Sequence, residues 1–495
     1  MNLLDALIVV LGLGFQAAEP TPPYTPRVAA ASGEAEAAIP AIQTPRNCVV
    51  RLFAAEPMLA NPVAMGLDEQ GRVYVVETFR HSDGATDNRS HMDWLDDDLA
   101  SKSVADRVAM YRKFLGNAFA DFAREHDRLR LIVDLDGDGK ADRSTVFADG
   151  FNKHEDGLAA GVLARGGNVW FTCVPNLWKL QDTNGDGQAD RREVLSSGYG
   201  VHVAFIGHDL HGLRFGPDGK LYFSIGDRGL RVETPQGLVD CPDTGAVLRC
   251  NPDGSNLELF ATGLRNPQEL AFDEVGNLFT GDNNSDSGDK ARWVYVMEGS
   301  DSGWRIGYQY MEGSYSRGPW NAEKLWYPPF PGQAAYITPP IANLGDGPSG
   351  LTYEPGLSAL PDRYRKHFFL CDFRGARGQS GIRSFTVQPK GAGFELAGDE
   401  RFVWSLLATD ADFGPDGSLS VVDWVDGWEK PGKGRVYRIL EPGKDQDPRV
   451  KEVRSLLSGD WSSRPLDQLA ELLAHADMRV RQEAQFTLAA RGEMT

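Results

Sequence analysis

Two acidic loops carry spacings suited to a hard cation. DTNGDGQADRRE runs from Asp182 to Glu193. Asp182, Asn184, Asp186, Asp190 and Glu193 stand at positions 1, 3, 5, 9 and 12 of the calcium-loop pattern, with Gly187 at the turn. Calcium takes about six to eight oxygen ligands, and this spacing wraps them round one point. A related loop, DLDGDGKAD, supplies Asp134, Asp136, Asp138 and Asp142, but Thr145 stands where the bidentate Glu belongs, so it should bind more weakly. Neither loop is flanked by a clear helix pair. Both are expected to join strands and to serve structure rather than catalysis. The alternative is an Asx-rich turn without metal.

Other chemistry-bearing residues are less specific. Cys241 and Cys250 flank a short loop and could bridge or stay free, and the five cysteines give neither a haem-attachment nor a zinc spacing. The stretch Gly303–Pro331 is rich in aromatics. Trp304, Tyr308, Tyr310, Tyr315, Trp320, Trp326 and Tyr327 could form a platform for a sugar ring, or pack a long loop over the fold.

A repeated unit must position these residues. It is an apolar strand, a tight turn and a second alternating strand. HGLRFGPDGKLYFSIGD and RNPQELAFDEVGNLFTGDN show it best, and it recurs at 61–78, 157–175, 349–373 and 410–424. Gly71, Gly167, Gly219, Gly276 and Gly417 mark the turns, and the fifth unit replaces its glycine turn with PDRYRKH. Six hairpins in radial repeat predict an all-β, six-bladed β-propeller over 47–443. A helical insertion is expected at about 93–127. GRVYRILEP, from Gly434, reads as the strand that closes the last blade. Residues 444–495 turn helical, with Leu466, Leu469, Leu472 and Leu473 on one face and Val480, Ala484, Phe486, Leu488 and Ala489 on the next helix. This reads as the start of a HEAT-like repeat, which cannot bury its own face and so either continues or docks on the propeller.

The formal charge of −19 argues against nucleic acid or an anionic membrane surface as partner and suits a cation binder. Leu7–Phe15 is an apolar core followed by Ala17 and Ala18, so residues 1–18 read as a signal peptide, too short to span a bilayer. Residues 19–46 are rich in Ala and Pro and read as a linker. An exported protein, periplasmic or extracellular and without a transmembrane segment, is expected.

HDLHGLRFGPDGKLYFSIGDRG, GAVLRCNPDGS, LRNPQELAF, the NSD at Asn284 and Gly303-Trp304 follow in one order. This stretch, His208 to about Tyr310, resembles the soluble quinoprotein sugar dehydrogenases, the glucose/sorbosone dehydrogenase family. These are six-bladed propellers that carry pyrroloquinoline quinone (PQQ) and calcium. The whole chain resembles most the membrane-bound dehydrogenases of planctomycetes and verrucomicrobia, which share the acidic loops, the GDRG and RNP signatures and following HEAT repeats. The resemblance implies oxidation of a sugar or other alcohol by hydride transfer to PQQ, with a cytochrome c as one candidate electron acceptor.

The resemblance also implies roles. His208 would be the general base, with His211 the competing candidate. Arg265 would stabilise charge on the quinone, and Asn266, Gln268, Glu155 and Arg374 would contact the cofactor. Asp282, Asn283 and Asn284 fall where family carbonyls hold a catalytic calcium. The chain departs from the family at three places. It has His211-Gly212-Leu213 for Gly-Arg-Leu and Asp282-Asn283 for Gly-Pro, and WSLLATDAD lacks the paired arginines expected before the last blade. Two other functions fit the fold: a non-catalytic, calcium-stabilised propeller that binds a polysaccharide or protein, and a calcium-dependent lactonase-type hydrolase.

Overall fold

Each hairpin continues outward into an antiparallel sheet. In the computed structural model, which describes residues 24–328, 330 and 332–492, six such sheets of four strands follow one another, the third extended by the short strand Ser300–Asp301. The first strands are Pro62–Leu67, Ala159–Arg165, Leu210–Phe215, Pro267–Phe272, Pro348–Tyr353 and Ala408–Phe413. Each packs against the first strands of both neighbouring blades, and the sixth returns to the first. The result is a closed, six-bladed β-propeller. The five turn glycines all have positive φ, as tight hairpin turns require. Apolar side chains fill the wedges between blades; Phe279 and Trp293 of blade 4, for example, meet Phe368 and Phe385 of blade 5.

The expected closing strand is corrected. Arg435–Leu440 is the third strand of blade 6, not its last. The outermost strand is Val49–Ala55, from the N-terminal end of the propeller, paired Val49 to Leu440. The sequence between them gives no local sign of this pairing, because it is wholly long-range.

All six blades share one irregularity. The pairing of first and second strands shifts register near the start of the first strand, at 62–64, 159–161, 211–214, 267–270, 348–351 and 408–410. A bulge leaves a residue out of the ladder and re-aims its side chain. Six bulges at one level make that end of the axis unlike the other.

Helices Leu95–Ala100 and Val104–Leu115 are inserted between the second and third strands of blade 1. Three helices follow the propeller: Pro448–Leu457, Leu466–Leu472 and Met478–Ala490. The last lies across the turn end of the axis. Glu483 accepts both Nε (2.8 Å) and Nη2 (2.7 Å) of Arg165, Gln482 and Gln485 donate to the carbonyls of Phe215 and Pro217, and Arg479 donates to that of Gly414. Of the two outcomes left open by the sequence, the helical segment docks.

The apolar stretch and small residues of 1–18 lie outside the described residues. Between 24 and 46 the chain carries a short helix, Glu34–Ala38, and Glu34 pairs with Lys433 and Arg435 of blade 6. All five cysteines are free, Cys241 and Cys250 included. No helix among the described residues is long and apolar enough to cross a membrane.

Candidate active site

The bulges open a cavity of about 210 Å³ on the axis. Bulged residues of five blades reach its wall: Val63, Ala160, Gln268, Glu269, Ser349 and Thr409. A second tier comes from the ends of the second strands. In blades 1, 4, 5 and 6 these strands end in Glu77, Asp282, Asp372 and Asp423. Each carboxylate accepts a backbone N–H from the chain entering its own first strand: from Ala60 (2.7 Å), Asn266 (2.8 Å), Asp346 (3.1 Å) and Leu407 (3.2 Å). The brace fixes the next residue, and Thr78, Asn283, Phe373 and Trp424 all line the cavity. The signal was present in the aligned strand ends YVVET, FTGDN, FLCDF and SVVDW.

Blade 3 supplies the group best placed for chemistry. His208 precedes its first strand and lines the cavity, only 4% exposed. Its Nδ1 lies 2.7 Å from Oδ1 of Asp227, whose Oδ2 accepts from Nε1 of Trp304 at 2.8 Å. Burial alone would raise the Asp227 carboxyl, but His208, Arg265 and the Trp304 bond outweigh it and hold it below the usual carboxylate range. An ionised Asp227 fixes the proton of His208 on Nδ1 and leaves Nε2 as the acceptor. Nε2 has no hydrogen-bond partner among the described residues. Asp227 belongs to the GDRG motif, yet the sequence reading gave it no role.

The other predicted residues are placed as follows. His211 also lines the cavity, but its ring nitrogens face the carbonyls of Ala160 (3.3 Å) and Gly207 (3.0 Å), and burial pushes its pKa down. Asn266 and Gln268 line the cavity, and Oδ1 of Asn266 is buried without a partner. Arg265 is fully buried behind this wall. Its guanidinium donates to Gln309 (2.9 Å) and Asp286 (2.7 Å) and sits 5.7 Å from the Trp304 ring. Glu155 receives Arg107 on its carbonyl, and Arg374 pairs with Asp346 and Asp372; neither lines the cavity.

At Asp282–Asn284 a guanidinium stands where the resemblance puts calcium. Buried Arg292 donates to Oδ2 of Asp282 (2.5 Å) and to the carbonyl of Asn283 (2.7 Å). Oδ1 of Asn283 accepts from the Asn284 N–H. Of the three carbonyls, that of Asn283 is thus engaged by a fixed internal cation.

The floor holds carboxylates that sequence reading missed. Glu269 and Asp410 line it, with Arg214 3.7 Å from Glu269 and 3.1 Å from Asp412. Burial, then the neighbouring Asp410, push the Glu269 carboxyl well up, and burial raises Asp410 too. With Asp209, which pairs with Arg228, the lining carries three carboxylates and no Lys or Arg among the described residues.

The acidic loops lie at the opposite face, joining third and fourth strands of blades 1 and 2. In each, the first Asp accepts two glycine N–H groups: Asp134 from Gly137 and Gly139, Asp182 from Gly185 and Gly187. Asp134, Asp136 and Asp138 converge closely enough to share an ion. Asp142 and Asp190 each close their loop by accepting backbone N–H groups, from Leu135 and Thr183. Asn184 accepts from the Asp186 N–H, and Asp186 from that of Gln188. Glu193 sits beyond its loop, in the strand Arg191–Ser197 opposite Lys179, and Thr145 donates to the carbonyl of Gly187 in the other loop. Among the aromatics of 303–331, Trp304 and Trp320 are buried and pack on each other, Tyr310 accepts from Asn88, and Tyr315 and Tyr327 are exposed.

Solved structures share this fold. The soluble aldose sugar dehydrogenase (Asd) from Escherichia coli, in its apo-form, is 15% identical over 80% of this chain and 99% of its own, with a TM-score of 0.50. The PQQ-bound aldose sugar dehydrogenase (Adh) from Streptomyces coelicolor is 16% identical over 80% of this chain and 100% of its own, with a TM-score of 0.46. A glucose dehydrogenase is 14% identical over 79% and 98%, with a TM-score of 0.48. At these identities the likeness is one of fold. No curated protein matches the chain. A family model does match, over residues 34–428, which takes in most of the propeller; the chain belongs to the family described as a domain of unknown function, DUF7133.

Proposed function

We propose that the chain is an oxidoreductase that removes hydrogen from a hydroxyl-bearing carbon of a sugar or other alcohol bound in the axial cavity. One observation carries this: an imidazole oriented by a buried carboxylate, at the wall of a largely apolar cavity open at one end. His208 Nε2 accepts the hydroxyl proton, and ionised Asp227 stabilises the imidazolium that forms. The C–H electron pair leaves as hydride to a two-electron oxidant of the quinone class, which takes up the hydride and a proton to become the hydroquinone. A sugar dehydrogenase is the reading that the motif order and the shared propeller support, and the membrane-bound branch with HEAT repeats is its nearest resemblance. The acidic loops are proposed to hold structural calcium, remote from the chemistry.

The resemblance implies PQQ as the cofactor of this cavity. Aromatic side chains in the wall suit a planar ring, but the unpartnered atom of Asn266 is Oδ1, an acceptor that a quinone carbonyl cannot satisfy. The carboxylates of PQQ find no Lys or Arg in the lining; the nearest cations, Arg228 and Arg214 behind it, are already paired with Asp209 and Asp412. The lining as it stands does not fit this polyanion, and Arg292 takes the place of its calcium. The same observation favours the second reading, a propeller that binds its ligand without turning it over.

The deciding experiment is an absorbance titration of chelator-stripped protein with PQQ, with and without calcium, followed by turnover of sugars with an artificial electron acceptor. Turnover that disappears in His208→Gln while the fold persists supports the oxidoreductase. Saturable sugar binding with no turnover under any condition leaves the binding propeller.

A further inference from the structure

We infer that a cleft on the turn face, at the seam between blades 6 and 1, binds a small oxyanion of the phosphate class. The anion sits between arginines of blade 6 and the following helix on one side and the acidic loop of blade 1 on the other. The site is separate from the axial cavity, and its dependence on calcium rests on the proposed reading of that loop. The cleft has a volume of about 320 Å³.

Its arginines are under-paired. The register that closes the ring sets Arg51 directly opposite Arg438. Like charges directly opposite one another destabilise a sheet. The Arg438 guanidinium lies over the Phe53 ring, with Cζ 4.0 Å from the centroid, and the side chain is only 12% exposed. Its Nε is buried without a partner, and its ion partner, Asp416, stands 3.6 Å away. Asp416 is itself engaged, since Oδ1 accepts from the N–H (3.0 Å) and hydroxyl (2.8 Å) of Ser418. Burial pushes the Arg438 pKa down, although Asp416 and Asp134 work against it. Arg454, on the helix Pro448–Leu457, lines the same cleft, and its side chain has no ion pair or hydrogen bond among the described residues. Arg51 pairs with Asp445 at 3.3 Å and is half exposed. The fourth arginine, Arg72, is held by Asp68 and is not available. A guanidinium stacked on an aromatic face leaves its N–H edge free, and that edge matches an oxyanion.

The facing wall explains why the anion needs a cation. Asp134 and Asp138 line it. Asp134 accepts from the N–H groups of Gly137 and Gly139, and Asp138 from that of Lys140. With Asp136 they converge closely enough to share an ion. Bare, these carboxylates repel an anion; loaded with calcium, the wall attracts one. Calcium takes about six to eight oxygens. This loop lacks the carboxylate of its twelfth position, because Thr145 stands there and donates its hydroxyl to the carbonyl of Gly187 in the neighbouring loop. An oxyanion adds oxygen to the calcium shell on one side and accepts guanidinium N–H groups on the other. The ring-closing strand, the loop of the first blade and the docked helical segment all meet at this point, so the bound anion ties the seam together.

The test is equilibrium binding and does not depend on turnover. Chelator-stripped protein is titrated by calorimetry with calcium alone. Inorganic phosphate and glycerol phosphate are then titrated in chelator and in saturating calcium, with circular dichroism to establish the fold of each variant. In calcium, inorganic phosphate should bind saturably and raise the thermal midpoint; in chelator it should bind at least about tenfold more weakly. Arg454→Gln, a change at an exposed helix position, should weaken phosphate about tenfold or more. Equal binding of the monoester identifies a phosphate ester as the occupant and weaker binding the free anion, and both support the site. Absence of phosphate binding to calcium-loaded protein, equal affinity in chelator and calcium, or unchanged affinity in folded Arg454→Gln would each overturn the inference and leave the calcium loop standing. Absence of calcium binding would remove both.

Discussion

Asp227 holds His208 through Nδ1 at 2.7 Å while its other oxygen is taken by Trp304, so the imidazole has one orientation and one tautomer. Asp227→Asn keeps the shape and removes the charge. Turnover should fall on the order of 10²–10⁴-fold, because the imidazolium formed in the reaction loses its counter-charge. Steady-state kinetics with a folded variant checks this; an unchanged kcat would remove His208 from the role of base.

The Asp282–Arg292 pair makes a stability prediction. Both side chains are almost fully buried. Asp282→Ala leaves the Arg292 guanidinium the longer Asp289 contact (3.5 Å), strands two backbone N–H groups, and should cost about 3–5 kcal/mol. Replacing Asp282, Arg292 and Asp289 together with apolar residues should cost less than the single change, since no charge of the group is left alone. Urea unfolding of the two variants measures the difference.

Calcium should act at one face only. Adding it to stripped protein should raise the thermal midpoint, and Asp136→Ala with Asp186→Ala should abolish that rise. Ligand affinity in the cavity should stay the same with or without calcium, because Arg292 occupies the expected cation position. A calcium-dependent affinity that survives loss of both loops would contradict this.

Two histidines give opposite pH limbs. The folded pKa of His81 lies at about 4, below the ordinary 6.5. As pH falls through that window the unfolded chain takes a proton that the folded one refuses, so stability falls. His202 is the reverse. Burial would lower it, but hydrogen bonding to Asp243 and the buried Asp98 raise it. Its contribution is full below the ordinary histidine value and is lost as pH rises through the raised one. His81→Phe should flatten the acid limb and His202→Gln the alkaline limb in denaturation followed across pH.

The propeller was legible because its signals are local. Gly71, Gly219 and Gly417 announce their turns, and the alternation around them announces strands. The cavity was legible only in part. His208, Asn266 and Gln268 stand in motifs, so they could be named. Glu269 and Thr409 reach the axis through bulges, and a one-residue slip of register leaves no mark in a sequence. Trp424 and Phe373 lie on separate blades and meet only when blades 5 and 6 pack together. Arg292 reads as an ordinary strand residue until its carboxylate partner is known. The carboxylate at the end of four second strands was a visible pattern that became meaningful only with the hydrogen bonds it makes.

The strand Val49–Ala55 fastens to Arg435–Leu440 and makes the ring whole. During synthesis, residue 49 emerges long before residue 440, so the first-made strand must wait, unpaired, for its partner. A nascent chain of five finished blades still presents two uncovered apolar sheet faces and no complete cavity. Assembly of the ring is therefore a late, all-or-none event, and ligand binding by a growing or cleaved chain would report that this event had already happened.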